Sequence, residues 1–276
     1  MIRKKREPPK LGPGQCNLCE RHKQTKNICI PGSGPTQPEF VVIAESPSST
    51  EDVWCRICQR TKLKTCEVLG HPIGENLVGP AGRLLEKALL EAGFDPATVF
   101  KLNAVACSGG TPTMVHAKKC RLYWLDELTR LDLGLCKAII LLGEFALRAV
   151  TDHGRAKISE ARLRSIKVDS LSFIPSNVLI TATYHPSAAL PHHDPSRYDE
   201  IVSDLLNIGK VRDPIKDVNF ISGSSDISLK DPEIVGLDLE WKTDGSIHMA
   251  GIASKNEIIT TNDVGSVLKW LSKLDG

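Results

Sequence analysis

"NVLITATYHPSAAL", residues 177–190, carries an apolar run from Val178 to Ala182 that breaks off into Tyr184, His185 and Pro186. The run has the length and β-branched content of a buried strand. Pro186 keeps the residue before it out of the helical region, so His185 is expected to stand extended at the strand end. Open α/β sheets put their chemistry at such carboxyl ends. Taken alone, the same histidine also fits a plain structural role, bonded to a backbone carbonyl.

Three further apolar runs read as buried strands: Phe40–Ala44 ("FVVIA"), Val99–Ala106 ("VFKLNAVA") and Ala138–Leu142 ("AIILL"). Helical patterns lie between and after them, at Gly82–Ala92, Val115–Leu131, Glu144–Val150 and Ser196–Ile208. Strands alternating with helices imply a mostly parallel sheet covered on both faces. The expectation is a three-layer α/β/α domain with a central four-stranded sheet over residues 14–210. Residues 211–231, polar with Pro and Gly-Ser-Ser, read as a linker. Residues 232–276 read as strand, turn at Asp244-Gly245, strand and a closing helix Val264–Leu274. So small a β-rich unit would struggle to bury its own core, and it reads as incomplete.

The chain has 276 residues, 41% hydrophobic and 25% charged, with a net charge of +2. That composition is globular, and bulk charge does not announce a nucleic-acid binder. The distribution says more. Residues 1–27 hold eight Lys/Arg against two Glu. Such a basic segment suits a phosphate backbone; residues 1–13 alone read as a solvated, disordered arm. No apolar stretch is long enough to span a bilayer, and the charged start lacks the apolar core of a signal peptide. The expectation is a cytoplasmic monomer, nucleoid-associated or in a host cytoplasm if the source is viral.

Nine cysteines, an odd number, argue for reduced thiols with several on metal rather than a disulfide framework. Cys16 and Cys19 have the Cys-x2-Cys spacing that lets two thiolates reach one metal. Cys107 ends a strand and Cys120 lies in the next helix, so the four could converge on an iron–sulfur cluster or a structural zinc. A second group, Cys55, Cys58, Cys66 and His71, could be its own zinc site. Cys29 and Cys136 have no assigned partners, and Cys136 reads as a small buried residue.

In a parallel sheet the strand ends would bring Glu45, Asn103 and His185 to one cleft. A carboxylate can position or deprotonate water. An amide can read the edge of a flat ligand. A histidine can donate to developing negative charge. Each also has an ordinary reading as a strand-end or cap residue.

At these residues the sequence resembles the uracil-DNA glycosylase superfamily, specifically its iron–sulfur family 4, over roughly residues 14–208. Six motifs stand in order. They are Cys16/Cys19; Ala44-Glu45-Ser46-Pro47-Ser48 with Glu51-Asp52; "NLVGPAGRLL" from Asn76; "NAVAC", Asn103–Cys107, with Cys120 after it; "LLGEFALRAV"; and "TYHPSAAL". The resemblance implies hydrolysis of the N-glycosidic bond of deoxyuridine in DNA. It makes Glu45 the water-orienting carboxylate and His185 the donor to the uracil anion. Ser46, Leu77 and Asn103 would contact the base. Ser187 would contact DNA, and Leu190 would fill the vacated stack. Cys16, Cys19, Cys107 and Cys120 would hold a [4Fe–4S] cluster. Leu77 stands where the family has a stacking Phe, and Ala44 and Ser48 replace motif glycines. The alternatives are a non-catalytic uracil- or DNA-recognition module of a polymerase or replication assembly, and a zinc-bearing domain that only tethers a nuclease. Residues 53–73 are an insertion relative to the family, either a zinc knuckle contacting DNA or a basic surface loop with buried thiols. "IVGLDLEWKTDG" resembles the first motif of proofreading 3′–5′ exonucleases, with Asp238 and Glu240 as divalent-cation ligands, as in some phage-type DNA polymerases. A polymerase or exonuclease partner follows from that resemblance; an ordinary hairpin is the alternative.

Overall fold

The computed structural model describes residues 12–62 and 64–208, and the backbone of 219–222, 234–241, 247–254 and 257–261. Residues 1–11, the turn at Asp244-Gly245, the helix Val264–Leu274 and most of the 211–231 linker lie outside the described residues. So do the side chains of Asp238 and Glu240. Two compact units divide between Arg212 and Asp213.

The first unit runs β1 (Phe40–Ala44), α1 (Ser49–Asp52), β2 (Trp54–Cys55), β3 (Arg60–Thr61), α2 (Lys64–Val68), α3 (Pro80–Glu91), β4 (Val99–Asn103), α4 (Met114–Thr129), β5 (Ala138–Leu142), α5 (Gly143–Thr151), α6 (Ile158–Ala161), β6 (Leu179–Thr183) and α7 (Arg197–Leu206). The main sheet has the order β4-β1-β5-β6, with every pairing parallel. Successive side chains along a strand point to opposite faces, and the apolar runs feed both. Val41, Ile43, Ile139 and Leu141 pack with Trp124 and Leu128 of α4 and Leu147 and Val150 of α5. Phe40, Val42, Ile140 and Leu142 pack with Leu85 and Leu89 of α3 and Ile201 and Leu205 of α7. Two cores, one on each face, make the three-layer α/β/α sandwich. Among the described residues no helix is long and apolar enough to cross a membrane.

Most boundaries differ from the sequence reading by one or two residues, and two of the differences have a clear local cause. The third apolar run does not stay in the sheet to Ala106. Strand β4 ends at Asn103, and the Ala106 carbonyl instead accepts from Ile30 N–H at 2.8 Å, which turns the chain toward the amino-terminal cysteines. Helix α3 begins at Pro80 rather than Gly82, because Pro suits the first helical position.

The second unit contains β7 (Asn219–Ser222), β8 (Ile234–Trp241), β9 (Ile247–Ser254) and β10 (Glu257–Thr261) in the order β7-β10-β9-β8. Strands β8 and β9 form the expected antiparallel pair, β10 pairs antiparallel with β9, and β7 runs parallel to β10. Thus the stretch read as a linker contains an edge strand, whose short apolar run was masked by the polar residues on either side.

Candidate active site and cysteine groups

The parallel order sets the carboxyl ends of β1, β4, β5 and β6 side by side. Beyond the last ladder pair, Ala44–Asn103, Ala104 N–H donates to the Ala44 carbonyl at 2.8 Å and Val105 N–H to the Glu45 carbonyl at 3.0 Å. Glu45 and Asn103 are therefore fixed on neighbouring strand ends. Burial raises the Glu45 pKa above the usual carboxylate value, and the charge of Arg21 pulls part of it back. Ser46 is half-buried beside it.

His185 follows β6 by two residues and stands extended, with φ −67° and ψ 134°, as the N-cap of a short 3-10 turn, Pro186–Ala189. Ser187 donates to its Nδ1 twice, from N–H at 3.1 Å and from Oγ at 2.7 Å. An amide N–H only donates, so Nδ1 is the acceptor and the neutral ring carries its proton on Nε2. Burial lowers the His185 pKa to about 4, which keeps the ring neutral near pH 7. The result is a fixed Nε2–H donor without a positive charge. Ser187, read from the sequence as a DNA contact, is thus bonded to the histidine. Leu190, half-buried, closes the same turn.

Two neighbours hold this turn in place. Gly143, at the start of α5, has φ +84°, and a Cβ there would lie 2.7 Å from His185 Cβ. Tyr184 is clamped between the guanidinium groups of Arg162 and Arg197, 4.6 and 4.5 Å from its ring centre. Arg162 is itself held by Asp204 at 2.8 and 3.0 Å and by Glu200 at 2.6 Å.

Asn103 Nδ2 donates to Asn76 Oδ1 at 2.8 Å. Asn76 is 0% exposed, and its own Nδ2 donates to the Pro31 carbonyl at 3.0 Å. A carbonyl only accepts, so both amide orientations are determined and Asn103 Oδ1 is turned away from Asn76. Next in the chain, Leu77 is 4% exposed, packs with the α3-side core and has the left-handed φ of +57°. Its carbonyl presses on Gly82, where a Cβ would lie 1.7 Å away. A bulky residue in this region carries backbone strain.

Cys16, Cys19, Cys107 and Cys120 are all buried. Burial pushes the Cys120 thiol up to about 12, with Cys19, Cys107 and Cys16 close enough to add to it. Cys29, unassigned from the sequence, joins them: its N–H donates to Cys107 Sγ at 3.3 Å. Hydrogen bonding from Cys29 lowers the Cys107 pKa to about 7 against the effect of burial. Arg21, counted in the sequence as part of a basic segment suited to phosphate, is 3% exposed. Its guanidinium donates to the Cys107 carbonyl at 2.8 and 3.1 Å and to the Gly110 carbonyl at 3.2 Å. Local sequence gave no sign of this, since the partners lie more than eighty residues away. Cys136 is buried in the α4-side core, as expected of a small apolar residue.

The second group is tighter. The ligand atoms of Cys55, Cys58, Cys66 and His71 all lie within 4.8 Å of one another, the one such set among the described residues.

A profile described as the uracil DNA glycosylase superfamily matches residues 31–206. A protein of Archaeoglobus fulgidus named type-4 uracil-DNA glycosylase is 28% identical over 199 residues, 71% of this chain and 87% of that protein. One of the same name from Saccharolobus solfataricus is 25% identical over 218 residues, 77% of this chain and 89% of its own length. A third, from Sulfurisphaera tokodaii, is 27% identical over 183 residues, 63% and 71% of the two chains. With the parallel sheet, the strand-end Glu, Asn and His-Pro, and this match over most of the sandwich, the chain belongs to the uracil DNA glycosylase superfamily.

Proposed function

We propose that this protein hydrolyses the N-glycosidic bond of deoxyuridine in DNA and releases uracil. The observation that carries the reading is the neutral His185, held by Ser187 so that its proton sits on Nε2 at the edge shared with Glu45 and Asn103. Bond cleavage leaves an oxocarbenium-like sugar and a uracil anion, and the base must first leave the stack. His185 Nε2–H would donate to a uracil carbonyl as negative charge develops there. Removing one such preorganised donor costs about 2–4 kcal/mol of barrier. Asn103, with its orientation set by Asn76, would offer Oδ1 to the uracil N3–H and an amide proton to O4, a pattern that cytosine reverses. Glu45 would orient the attacking water, with Ser46 beside it. Leu77 would limit the base pocket from the α3 side. Ser187 and Leu190 sit on the turn that would face the DNA backbone and the vacated stack.

Cys16, Cys19, Cys107 and Cys120 would hold a [4Fe–4S] cluster. Four buried thiols, with Cys16, Cys19 and Cys107 all acting on Cys120, suit a cluster that gives each thiolate its own iron. Bound there, the cluster would supply cross-links between the amino-terminal segment and the Cys107–Cys120 loop rather than reaction chemistry. Cys120→Ser should bleach the brown protein and Cys29→Ser should not; the reverse would exchange their roles. A cytoplasmic or nucleoid setting suits the reduced thiols. A polymerase or exonuclease partner rests on the Asp238-x-Glu240 strand alone, and a pull-down against purified polymerase would test it.

The deciding test is excision from a single-stranded oligonucleotide with one deoxyuridine, read as alkali-induced cleavage. Cleavage lost in His185→Ala, with DNA binding retained, supports the reading. Tight binding to the uracil-containing strand without cleavage by folded, brown protein would replace it with a recognition role.

A further inference from the structure

The insertion between α1 and α3 is built inside out. Its large apolar side chains Ile57, Val68 and Leu69 are 63%, 87% and 66% exposed, whereas Cys55 and Cys66 are 0% and 1% exposed. Among the described residues of the hairpin β2–β3 and the short helix α2, only Cys55 and Cys66 are buried apolar side chains. So small a piece needs another staple, and in reducing surroundings that staple is a metal rather than a disulfide.

The side chains converge on a defined geometry. Cys55 ends β2, Cys58 lies in the hairpin turn, Cys66 comes from α2, and His71 follows it. Cys58 Sγ lies 3.7 Å from Cys66 Sγ, and His71 Nδ1 lies 3.5 Å from both Cys55 Sγ and Cys58 Sγ. Tetrahedral zinc with ordinary Zn–S and Zn–N bonds sets ligand separations of about 3.8 Å for S···S and about 3.6 Å for S···N. The spacing is that of one mononuclear ion. Cys58 N–H also donates to Cys55 Sγ at 3.3 Å, as suits a thiolate ligand.

We propose that Cys55, Cys58, Cys66 and His71 form a structural Zn2+ site, separate from the amino-terminal cysteine group. Its position gives it a purpose. Gly74 N–H donates to the Trp54 carbonyl at 2.8 Å, Arg56 N–H to the Pro72 carbonyl at 3.1 Å, and Glu75 N–H to the Glu51 carbonyl at 3.1 Å. The ion closes a loop whose two ends leave α1, just after Glu45, and enter Asn76 and Leu77. It therefore fixes the path between the two sides of the candidate base pocket. The knuckle also presents the exposed Arg60 and Lys64 to solvent.

The test uses full-length protein purified without chelator, with zinc and iron measured together and zinc K-edge absorption recorded. The expected result is about one zinc per chain in a shell of three sulfurs and one nitrogen. Cys66→Ser should lose the zinc, keep its iron content, and become open to proteolysis within residues 53–73. His71→Cys should keep zinc in a four-sulfur shell, which guards against a general folding failure of the serine variant. Absence of zinc, iron in its place, a Cys58–Cys66 disulfide, or zinc that survives Cys66→Ser unchanged would each overturn the proposal. Metal content is read independently of uracil excision, so the two readings fail separately.

Discussion

Asn76 decides which way Asn103 faces: its Oδ1 receives the Asn103 amide at 2.8 Å because its own amide is committed to the Pro31 carbonyl at 3.0 Å. A side chain that touches no substrate thus sets the polarity of one that would read the base. Asn76→Ala removes the constraint and leaves the Asn103 amide without its buried partner, a loss of about 1–3 kcal/mol. The expected outcome is a drop in kcat/KM for uracil of about 10- to 100-fold. Selectivity against cytosine should narrow as well, because an amide free to flip offers both patterns. A purely structural role would lower thermal stability and leave the uracil-to-cytosine ratio unchanged. Paired excision assays on the two bases separate these outcomes.

The pH dependence follows from two opposite shifts. Burial raises the Glu45 pKa, whereas burial lowers that of His185 to about 4. If Glu45 acts as a carboxylate, the rate rises with pH as Glu45 ionises, at a value above the ordinary ~4.3. His185 is already neutral there and adds no limb near its ordinary ~6.5. Stability has its own sign. Between pH ~6.5 and about 4 the unfolded chain binds a proton at His185 that the native state refuses, so stability falls as pH drops through that window. Single-turnover excision from pH 4.5 to 8 should show one acidic limb that Glu45→Gln abolishes along with most of the rate. A limb near pH 6.5 that disappears in a His185 variant would refute the neutral-donor assignment.

Gly143 and His185 leave each other no room. Any other residue at 143 would meet His185 Cβ at 2.7 Å while being held at φ +84°. Gly143→Ala should therefore displace the histidine turn. The expected outcome is a loss of excision of about 100-fold, alongside a destabilisation of about 1–3 kcal/mol from the left-handed backbone. Binding to undamaged DNA should fall far less than excision, because the displaced turn carries His185 but only two of the DNA-facing positions, Ser187 and Leu190. Fluorescence anisotropy beside the excision rate distinguishes a moved catalytic group from a collapsed fold.

What the sequence made legible was whatever is periodic or local. The four apolar runs supply both cores, and Pro186 dictates the extended His185. Cys-x2-Cys spacing marked both metal candidates. What it hid were bonds between side chains and distant backbone. Arg21 looked like one more positive charge in a basic segment, yet its partners are the Cys107 and Gly110 carbonyls. Cys29 had no spacing to recommend it and reaches Cys107 only through the fold. The Tyr184 clamp depends on Arg162 and Arg197, neither of which lies in a periodic pattern that includes the tyrosine. A charged or polar residue reveals nothing about burial until the chain around it is closed.

Asp52 gathers the pieces that the cysteines join. It ends α1, seven residues after Glu45, and it accepts from Ser108 Oγ at 2.6 Å, Asn27 N–H at 2.7 Å, Lys26 N–H at 2.8 Å and Thr25 Oγ1 at 3.1 Å. Ser108 adjoins Cys107, and Thr25–Asn27 lie between Cys19 and Cys29, so one carboxylate ties the cysteine pocket to the helix that follows the candidate water-orienting residue. Burial works to raise its pKa, but the bonds from Ser108, Lys26, Asn27 and Thr25 outweigh it and hold the carboxyl below its usual value. The stabilisation is complete above the unfolded-state pKa of ~3.9 and is lost as pH falls through the lower native value. Asp52→Asn cannot accept with both terminal atoms, so one face of the side chain would meet a donor with a donor. The expected cost is about 1–3 kcal/mol, with a flatter acid-unfolding curve below pH 4 than in the parent protein. If the cysteine pocket is the cluster site, the variant's brown colour should bleach faster in air, because the segment carrying Cys16 and Cys19 is held less firmly. Acid titration of unfolding together with the bleaching rate checks both halves: an unchanged curve would remove Asp52 from the stability argument, and an unchanged bleaching rate would sever it from the cysteine pocket.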